Sequence, residues 1–319
     1  MTSSPSWMPS ASIDNLKARA KLNQQLRGFF ERLGVMEVET PNLASCGVTD
    51  PYIECVQTSL AGRQYFFQSS PEYAMKRLLA AGSGDIYSLS KVYRSGENGR
   101  CHNVEFTLLE WYRLGLSDRE LMAEVAELVE SLIPELEVHY FSYQKLFERY
   151  LDINPHRASL PELQALVNEH LDVGDYICED TSTALDLLIS QVIEPLLPAG
   201  LVFVYDYPAV QAALARLAEN SDGQVIARRF EAFLNGMELA NGYWELIDAT
   251  EQAERFAADL ATRHAAGLPQ LEADQKLLAA LECGLPDCAG VALGVDRLLM
   301  QVLGADSISD VISFDFSRV

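Results

Sequence analysis

Apolar residues near the start of the chain recur at the spacing of an amphipathic helix. Ser12 has the side chain expected at an N-cap, and Gly34 ends the run, as glycine commonly does just beyond a helix. The pattern therefore predicts one long helix with these apolar positions: Ile13, Leu16, Leu22, Leu26, Phe29, Phe30 and Leu33. The next stretch, VMEVET (35–40), predicts a strand that stops at Pro41.

Two stretches that alternate between apolar and polar residues predict a pair of long strands. IYSLSKVYRSGE (86–97) and VEFTLLEWYRLG (104–115) are joined by a polar loop, so they predict an antiparallel hairpin. Upstream, RQYFFQSS (63–70) predicts another strand. A helix then begins in the SPE tripeptide at Ser70, with Pro71 at the first helical position, where its missing N–H is harmless.

The second part of the chain contains both helical and strand-like patterns of apolar residues. Residues 117–200 predict mainly helices, whereas LVFVYDYP (201–208) and FEAFLNGMELANGYWEL (230–246) predict strands. Two further helices and the segment GVALGVDRLLM (290–300) follow. This order predicts an α+β fold with antiparallel strands. Because no repeat or low-complexity linker interrupts the pattern, we expect a single domain over residues 1–319.

Composition narrows the classes of function. The chain has 24 Lys and Arg against 46 Asp and Glu, and the net charge of −22 argues against binding to a phosphate backbone, so nucleic acid is not expected as a partner. No apolar run approaches the roughly 18 residues of a membrane span, and the first residues lack the pattern of a signal peptide. We therefore expect a cytoplasmic protein without a membrane partner. The six cysteines form no CxxC pair and are expected to be reduced thiols.

Charged residues cluster in the loop of the predicted hairpin, YRSGENGRCHNVEF. Any one of them alone is best explained as a solvated loop residue. Arg94 together with Phe106 and Tyr112, however, suits a nucleotide, because a guanidinium binds phosphate and a ring covers a base. Neither GxxxxGK[ST] nor a GxGxxG after a strand is present, so the site is not one of the common phosphate loops.

A second unusual pair, Asp296 and Arg297, interrupts the apolar segment near the end of the chain. A buried arginine is costly unless it is paired. The pair is explained either by an ion pair that fixes the last helix or by an anion that binds Arg297, and this segment alone leaves both interpretations open.

Five ordered motifs resemble the catalytic core of the class II aminoacyl-tRNA synthetases of the lysyl type. They are GVMEVETPNL, SPEYAMKRLL, YRSGENGRCHNVEFTLLEWY, MELANGYWEL and GVALGVDRL, and they extend over nearly the whole chain. The resemblance implies a class II synthetase-like antiparallel sheet flanked by helices, and a homodimer formed through the first motif. It also implies ATP as a cofactor, activated without a protein nucleophile.

The resemblance assigns the nucleotide site residue by residue. Arg94 corresponds to the arginine on the α-phosphate and Arg297 to the one on the γ-phosphate, and both are expected to be catalytic. Glu231 and Glu238 correspond to the Mg²⁺ ligands. The implied ATP-binding residues are Arg94, Ser95, Gly96, Glu97, His102, Asn103, Phe106, Glu238, Leu239, Gly294 and Arg297. Three positions depart from the lysyl pattern, namely Gly96 followed by Glu97, Val104 and Trp244.

The resemblance also implies a substrate site for a lysine isomer. Tyr112 and Glu245 correspond to the pair that receives the side-chain ammonium, although Glu245 alone is equally explained by a structural ion pair. Ala292 stands where lysyl enzymes place glycine, and its methyl group either selects between isomers or fills the core. The implied substrate-binding residues are Ser70, Pro71, Glu72, Tyr112, Asn241, Glu245 and Ala292.

The length of the chain before the first motif bears on which molecule accepts the activated amino acid. Only about a dozen residues precede the predicted first helix, so we expect no N-terminal anticodon-binding barrel. Cores of this kind resemble the bacterial elongation factor P (R)-β-lysine ligase family, which implies adenylation of (R)-β-lysine and its transfer to a lysine ε-amino group of elongation factor P. Two alternatives stay open: an enzyme that makes a free amino acid, and a regulatory protein without chemistry. The presence of Tyr112, Glu245, Arg94 and Arg297 disfavours them.

Overall fold

The computed structural model describes residue 5 and residues 7–172 and 178–319. The helices in these ranges are α1 Ile13–Leu33, α2 Glu72–Ala80, α3 Asp118–Glu130, α4 Tyr143–Leu151, α5 Leu160–His170, α6 Thr181–Leu188, α7 Ala249–Ala265, α8 Gln275–Gly284 and α9 Val295–Leu303. The strands are β1 Met36–Glu37, β2 Leu43–Ala44, β3 Gln57–Leu60, β4 Arg63–Phe67, β5 Ile86–Tyr93, β6 Glu105–Leu114, β7 Val138–Ser142, β8 Leu201–Pro208, β9 Leu217–Glu219, β10 Val225–Leu234, β11 Met237–Trp244 and β12 Cys288–Gly294.

Contacts between Cα atoms divide the chain into two compact units. The first combines Met1–Gly115 with Ile247–Val319, and the second is Leu116–Leu246. No helix in the described ranges is long and apolar enough to cross a membrane.

The first unit is built on the hairpin of β5 and β6. These strands pair antiparallel, β6 pairs antiparallel with β12, and the short β1 pairs parallel with β5. Helix α1 packs on one face of this sheet, where Phe30 stacks on Tyr87 with ring centroids 4.3 Å apart and meets Trp111 edge-on at 5.4 Å. A separate sheet pairs β4 with β2 and β3.

The second unit contains the other strands. β10 pairs antiparallel with β8, β9 and β11, and β7 pairs parallel with β8. Helices α4, α5 and α6 cover one face, and their apolar side chains form a core with Val202, Val204 and Phe233.

Most of the predicted elements are confirmed. Helix α1 begins after Ser12, whose hydroxyl accepts a hydrogen bond from the Asn15 N–H at 3.1 Å, and it ends at Gly34 in the left-handed conformation (φ +69°). The hairpin of β5 and β6 is antiparallel, as the pattern predicts. The α+β fold class is confirmed as well.

Two local predictions are wrong. The strand predicted to reach residue 40 is only Met36–Glu37, since the chain leaves β5 after this short parallel contact. Pro71 precedes helix α2 instead of occupying its first position, because the helix begins at Glu72. The prediction that residues 117–200 are mainly helical is confirmed by α3, α4, α5 and α6. The strand Val138–Ser142 within this region was not predicted, because it exists through its pairing with β8 and has little local signal. Residues 173–177 lie outside the described residues.

Candidate active site

The face of the first unit's sheet that lies opposite helix α1 carries polar residues. Glu110 on β6 lies directly between Ser88 on β5 and Ala292 on β12. Tyr112 follows two residues later and faces Gly290. Since side chains alternate along a strand, Glu110, Tyr112 and Ala292 share this face, opposite to Trp111 and the helix.

Glu110 links two of the predicted substrate residues. Its carboxylate accepts a hydrogen bond from the Ser70 hydroxyl at 2.6 Å and another from the Tyr112 hydroxyl at 2.8 Å. Both Glu110 and Tyr112 are only 2 % exposed. A carboxylate that is buried in this way is a suitable partner for a cation. Sequence reasoning missed Glu110, although a lone acidic residue within the apolar run LLEWY was the signal available.

Glu72 is already ion-paired. Its carboxylate lies 2.6 Å from the ammonium of Lys76, one helical turn further along α2, and Lys76 is almost fully buried at 1 % exposure. The Glu72 N–H donates to the Ser70 hydroxyl at 3.0 Å, which ties the start of α2 to the Glu110 network. Pro71, which lies between Ser70 and Glu72 in the sequence, is buried.

Arg94 and Phe106 lie together, as the nucleotide hypothesis requires. The Arg94 guanidinium is 5.2 Å from the centre of the Phe106 ring, and its Nη1 is 3.5 Å from Glu97. Its Nε is buried and has no hydrogen-bond partner among the residues that the structure describes. A buried guanidinium N–H without an acceptor is costly, so this position favours an anionic ligand.

The Gly96–Glu97 departure has a conformational reason. Gly96 adopts φ +76°, a left-handed conformation that other residues rarely take. The neighbouring Ser95 N–H donates to the Glu54 carbonyl at 2.8 Å and holds the loop. This turn brings the Glu97 carboxylate back towards Arg94.

The two interpretations of the Asp296–Arg297 pair apply to different residues. Asp296 makes the structural contacts: it is buried, accepts the Thr107 N–H at 2.7 Å and forms an ion pair with Arg19 of helix α1. Arg297 lies at the first turn of α9, half-buried, with its Nη2 2.6 Å from Nε2 of His102. Gly294 caps this helix. Arg297 and His102 are thereby brought together from distant parts of the sequence.

Asn103 has a structural role in this geometry. Its amide nitrogen donates to the Glu105 carbonyl at 2.7 Å, and its amide oxygen accepts the Phe316 N–H at 2.9 Å. The side chain thus fastens the segment near the C-terminus to the start of β6.

The second unit carries four other predicted residues on the neighbouring strands β10 and β11. Glu231 on β10 faces Asn241 on β11, and Asn241 donates to the Glu231 carboxylate at 3.3 Å. Burial raises the pKa of Glu231, and the nearby Glu238 carboxylate raises it further, whereas the Arg229 guanidinium opposes both effects. Glu238 is exposed, and the adjacent Leu239 is buried.

These donors suit a hard cation. Glu231 and Glu238 supply carboxylate oxygens, and Oδ1 of Asn241 is buried without a donor among the described residues. Across the described ranges no cluster of three or more His, Cys, Asp or Glu side chains could hold a metal ion. Mg²⁺ is commonly bound by one or two carboxylates together with substrate phosphates. The residues present therefore fit Mg²⁺ that arrives with a nucleotide.

Glu245 is buried at 1 % exposure, close to a basic residue. Its carbonyl oxygen accepts a hydrogen bond from Nε of Arg216 at 3.1 Å. The preceding Trp244, the third departure, lies against two guanidinium groups, those of Arg216 at 4.3 Å and Arg228 at 5.2 Å from its ring centre. A large aromatic residue is thus retained here through cation–π contacts.

One cavity contains none of the predicted residues. It has a volume of about 800 Å³ and lies within the second unit, where its lining includes Arg119, Tyr140, His156, Tyr205 and Asp206. Tyr205 faces Phe230 across the β8–β10 pair, so the cavity is on the opposite face of the sheet from Glu231.

Comparison with known proteins agrees with the motifs and the geometry. Residues 7–318 match the family described as tRNA synthetases class II (D, K and N), and the chain belongs to this family. Individual relatives are similar to the chain over almost its whole length. The chain is 45 % identical over 99 % of both sequences to the elongation factor P–(R)-β-lysine ligase of Histophilus somni. It is 44 % identical to the ligases of the same name from Pasteurella multocida, over 97 % of each chain, and Edwardsiella ictaluri, over 100 %.

Proposed function

We propose that the protein is an ATP-dependent ligase that joins (R)-β-lysine to the ε-amino group of a lysine on elongation factor P. The observation that carries this proposal is the buried carboxylate of Glu110, which the Ser70 and Tyr112 hydroxyls hold on the face of the sheet opposite helix α1. Such a group suits the side-chain ammonium of a lysine isomer. Full-length similarity to ligases that bear this name supports the choice.

The first step activates the amino acid. Its carboxylate oxygen attacks the α-phosphorus of ATP, a new P–O bond forms, and the bond to pyrophosphate breaks with its electron pair. Arg94 binds the α-phosphate and stabilises the charge that develops there, while Phe106 covers the base. Arg297 binds the γ-phosphate. Bound Mg²⁺, for which Glu231 and Glu238 are the proposed ligands, supplies neutralisation of the phosphate charge.

The second step transfers the activated acyl group. The neutral ε-amine of the acceptor lysine attacks the carbonyl carbon of the adenylate, AMP leaves with the bonding electrons, and the amine loses a proton as the amide forms. Neither step uses a covalent bond to the protein. The chain contributes orientation and charge stabilisation, which can account for several kcal/mol of the barrier.

Substrate recognition assigns different tasks to the predicted residues. Glu110, Tyr112 and Ser70 bind the distal ammonium, and Ala292 is paired with Glu110 on the neighbouring strand, so its methyl group borders the substrate site. We propose that Glu72 lies near the second amine of the substrate, and it keeps one oxygen on Lys76. The role of Glu245 at the distal ammonium stays a prediction.

The partners follow from the same proposal. Elongation factor P is the acceptor, and the net charge of −22 disfavours tRNA. A homodimer formed through the first motif and a cytoplasmic location complete the proposal; both rest on the resemblance and on the nature of the acceptor.

Substitution of the two arginines tests the activation step. Arg94→Ala and Arg297→Ala should each lower substrate-dependent pyrophosphate exchange by about a hundredfold or more, because each removes a charge-assisted contact to a phosphate. Circular dichroism should show both variants folded. Arg100→Ala, which removes an exposed arginine of the same loop, is the matched control. Near-normal exchange by folded Arg94→Ala would contradict the assignment.

A further inference from the structure

Arg229 is a partly buried cation directly beside a proposed metal ligand. It lies on β10 two residues before Glu231, so both side chains are on the same face of the strand. Its Nη2 is 2.5 Å from Oε1 of Glu231, and the two side chains are 17 % and 14 % exposed. The same oxygen accepts the Asn241 amide at 3.3 Å.

The guanidinium is itself held from several directions. Nη1 of Arg229 donates to the Gln211 carbonyl at 2.8 Å, and the guanidinium lies 4.6 Å from the centre of the Tyr207 ring. The Gln211 side chain in turn donates to Asp186 of helix α6 at 2.6 Å. Because a guanidinium is planar and rigid, these contacts fix the direction of its bond to Glu231.

We propose that Arg229 is a positioning residue that fixes the Glu231 carboxylate for the metal ion accompanying ATP. This inference rests on the proposed function. With Oε1 held by Arg229 and Asn241, and with the Tyr207 side chain next to the same carboxylate, the rotation of the Glu231 carboxylate is restricted. Mg²⁺ requires nearly ideal octahedral geometry, so a ligand with a fixed direction binds it at a smaller entropic cost.

A purely structural ion pair would behave differently. If Arg229 only neutralised a buried carboxylate, its replacement would affect folding stability, and the loss of a nearby positive charge would leave metal binding equal or stronger. Metal affinity therefore distinguishes the two roles, independently of catalytic rate.

Arg228 provides a matched control on the same strand. It is the neighbour of Arg229, it points to the other face, and its Nη2 lies 2.5 Å from the fully buried Asp118. A Lys substitution at position 228 or 229 keeps the charge but loses the guanidinium fork. The stability cost should be similar, whereas only position 229 contacts the proposed metal ligand.

The experiment measures Mn²⁺ binding by calorimetry to the full chain in the presence of a non-hydrolysable ATP analogue. Arg229→Lys should weaken Mn²⁺ binding by about ten- to a hundredfold, the range typical of second-sphere partners, while Arg228→Lys leaves it unchanged. In a Glu231→Gln background, Arg229→Lys should add no further loss, because the effect acts through Glu231. If the Lys variant fails to fold, Arg229→Gln, whose side chain still donates a hydrogen bond, replaces it in the same binding measurement.

The outcomes separate this inference from the proposed function. If Glu231→Gln weakens Mn²⁺ binding but folded Arg229→Lys or Arg229→Gln binds as tightly as wild type, the positioning role is refuted and the metal assignment survives. If Glu231→Gln itself leaves Mn²⁺ binding unchanged, the metal role of Glu231 and the positioning role of Arg229 both fail.

Discussion

Glu110 is the residue on which recognition of the distal ammonium depends. Glu110→Gln keeps the size of the side chain but removes its charge. We expect KM for the amino acid to rise by about ten- to a hundredfold, since a hydrogen bond to a charged group is worth about 1.5 to 3 kcal/mol. Pyrophosphate exchange at increasing amino-acid concentration measures this. Glu105→Gln, an exposed carboxylate on the same strand, should leave KM unchanged; equal KM values for the two variants would refute the role of Glu110.

Ala292 bears on isomer selection. It lies opposite Glu110 and is half-buried, so its methyl group is on the face that carries the proposed substrate residues. Ala292→Gly should raise activation of α-lysine relative to β-lysine by about tenfold, since one methyl group discriminates by about 1 to 3 kcal/mol. The ratio of exchange rates with the two isomers is the measurement. An unchanged ratio in the folded variant would leave Ala292 as core packing.

The sequence identified the site residues that belong to the recognised motifs, but it did not identify those whose role depends on contacts in the folded chain. Arg94, Phe106 and Arg297 were identifiable because they lie in motifs that resemble those of the lysyl synthetases, although each residue alone also had a structural explanation. Glu110 was not, since its partner Ser70 comes from a distant part of the chain. Arg229 was not, since its contacts with Glu231 and Gln211 depend on the folded structure. A charged residue in an otherwise apolar strand implies a partner, but the linear pattern does not say which one.

At the scale of elements, the first turn of α9 depends on Asp296. Its carboxylate joins the Thr107 N–H of β6 to Arg19 of α1, three segments that are far apart in sequence. Asp296→Asn should lower the free energy of unfolding by about 2 to 4 kcal/mol, because breaking a largely buried ion pair leaves Arg19 without its carboxylate. Urea unfolding measures this loss. Asp14→Asn, an exposed carboxylate on α1, should be close to neutral, and equal stability of the two variants would contradict the account.

Elements that are determined by nearby residues were predicted accurately, whereas strands that depend on distant partners were not. Helix α1 was predicted to the residue because its cap, apolar positions and terminal glycine all lie within the element. The strand Val138–Ser142 was missed because it depends on parallel pairing with β8, about sixty residues later in the chain. The strand after Gly34 was predicted too long for the same reason, since only Met36 and Glu37 find partners on β5.

At the scale of the whole molecule, the net charge of the chain bears on whether the acceptor of the amino acid is a protein or a tRNA. A chain with a net charge of −22 gains little from the release of counterions, which provides much of the affinity for nucleic acid. Similarity to the curated ligases extends over the full chain, so the comparison covers every element described above. Both observations favour a protein acceptor.

The most direct test of this account is the intact mass of elongation factor P after incubation with the chain, ATP, Mg²⁺ and (R)-β-lysine. We predict the addition of one lysyl residue, dependent on ATP and absent with Arg94→Ala, and a much slower reaction with bulk tRNA at physiological salt, because too few contacts are available to select a tRNA. An unchanged mass of elongation factor P together with efficient lysylation of tRNA would contradict the proposed function.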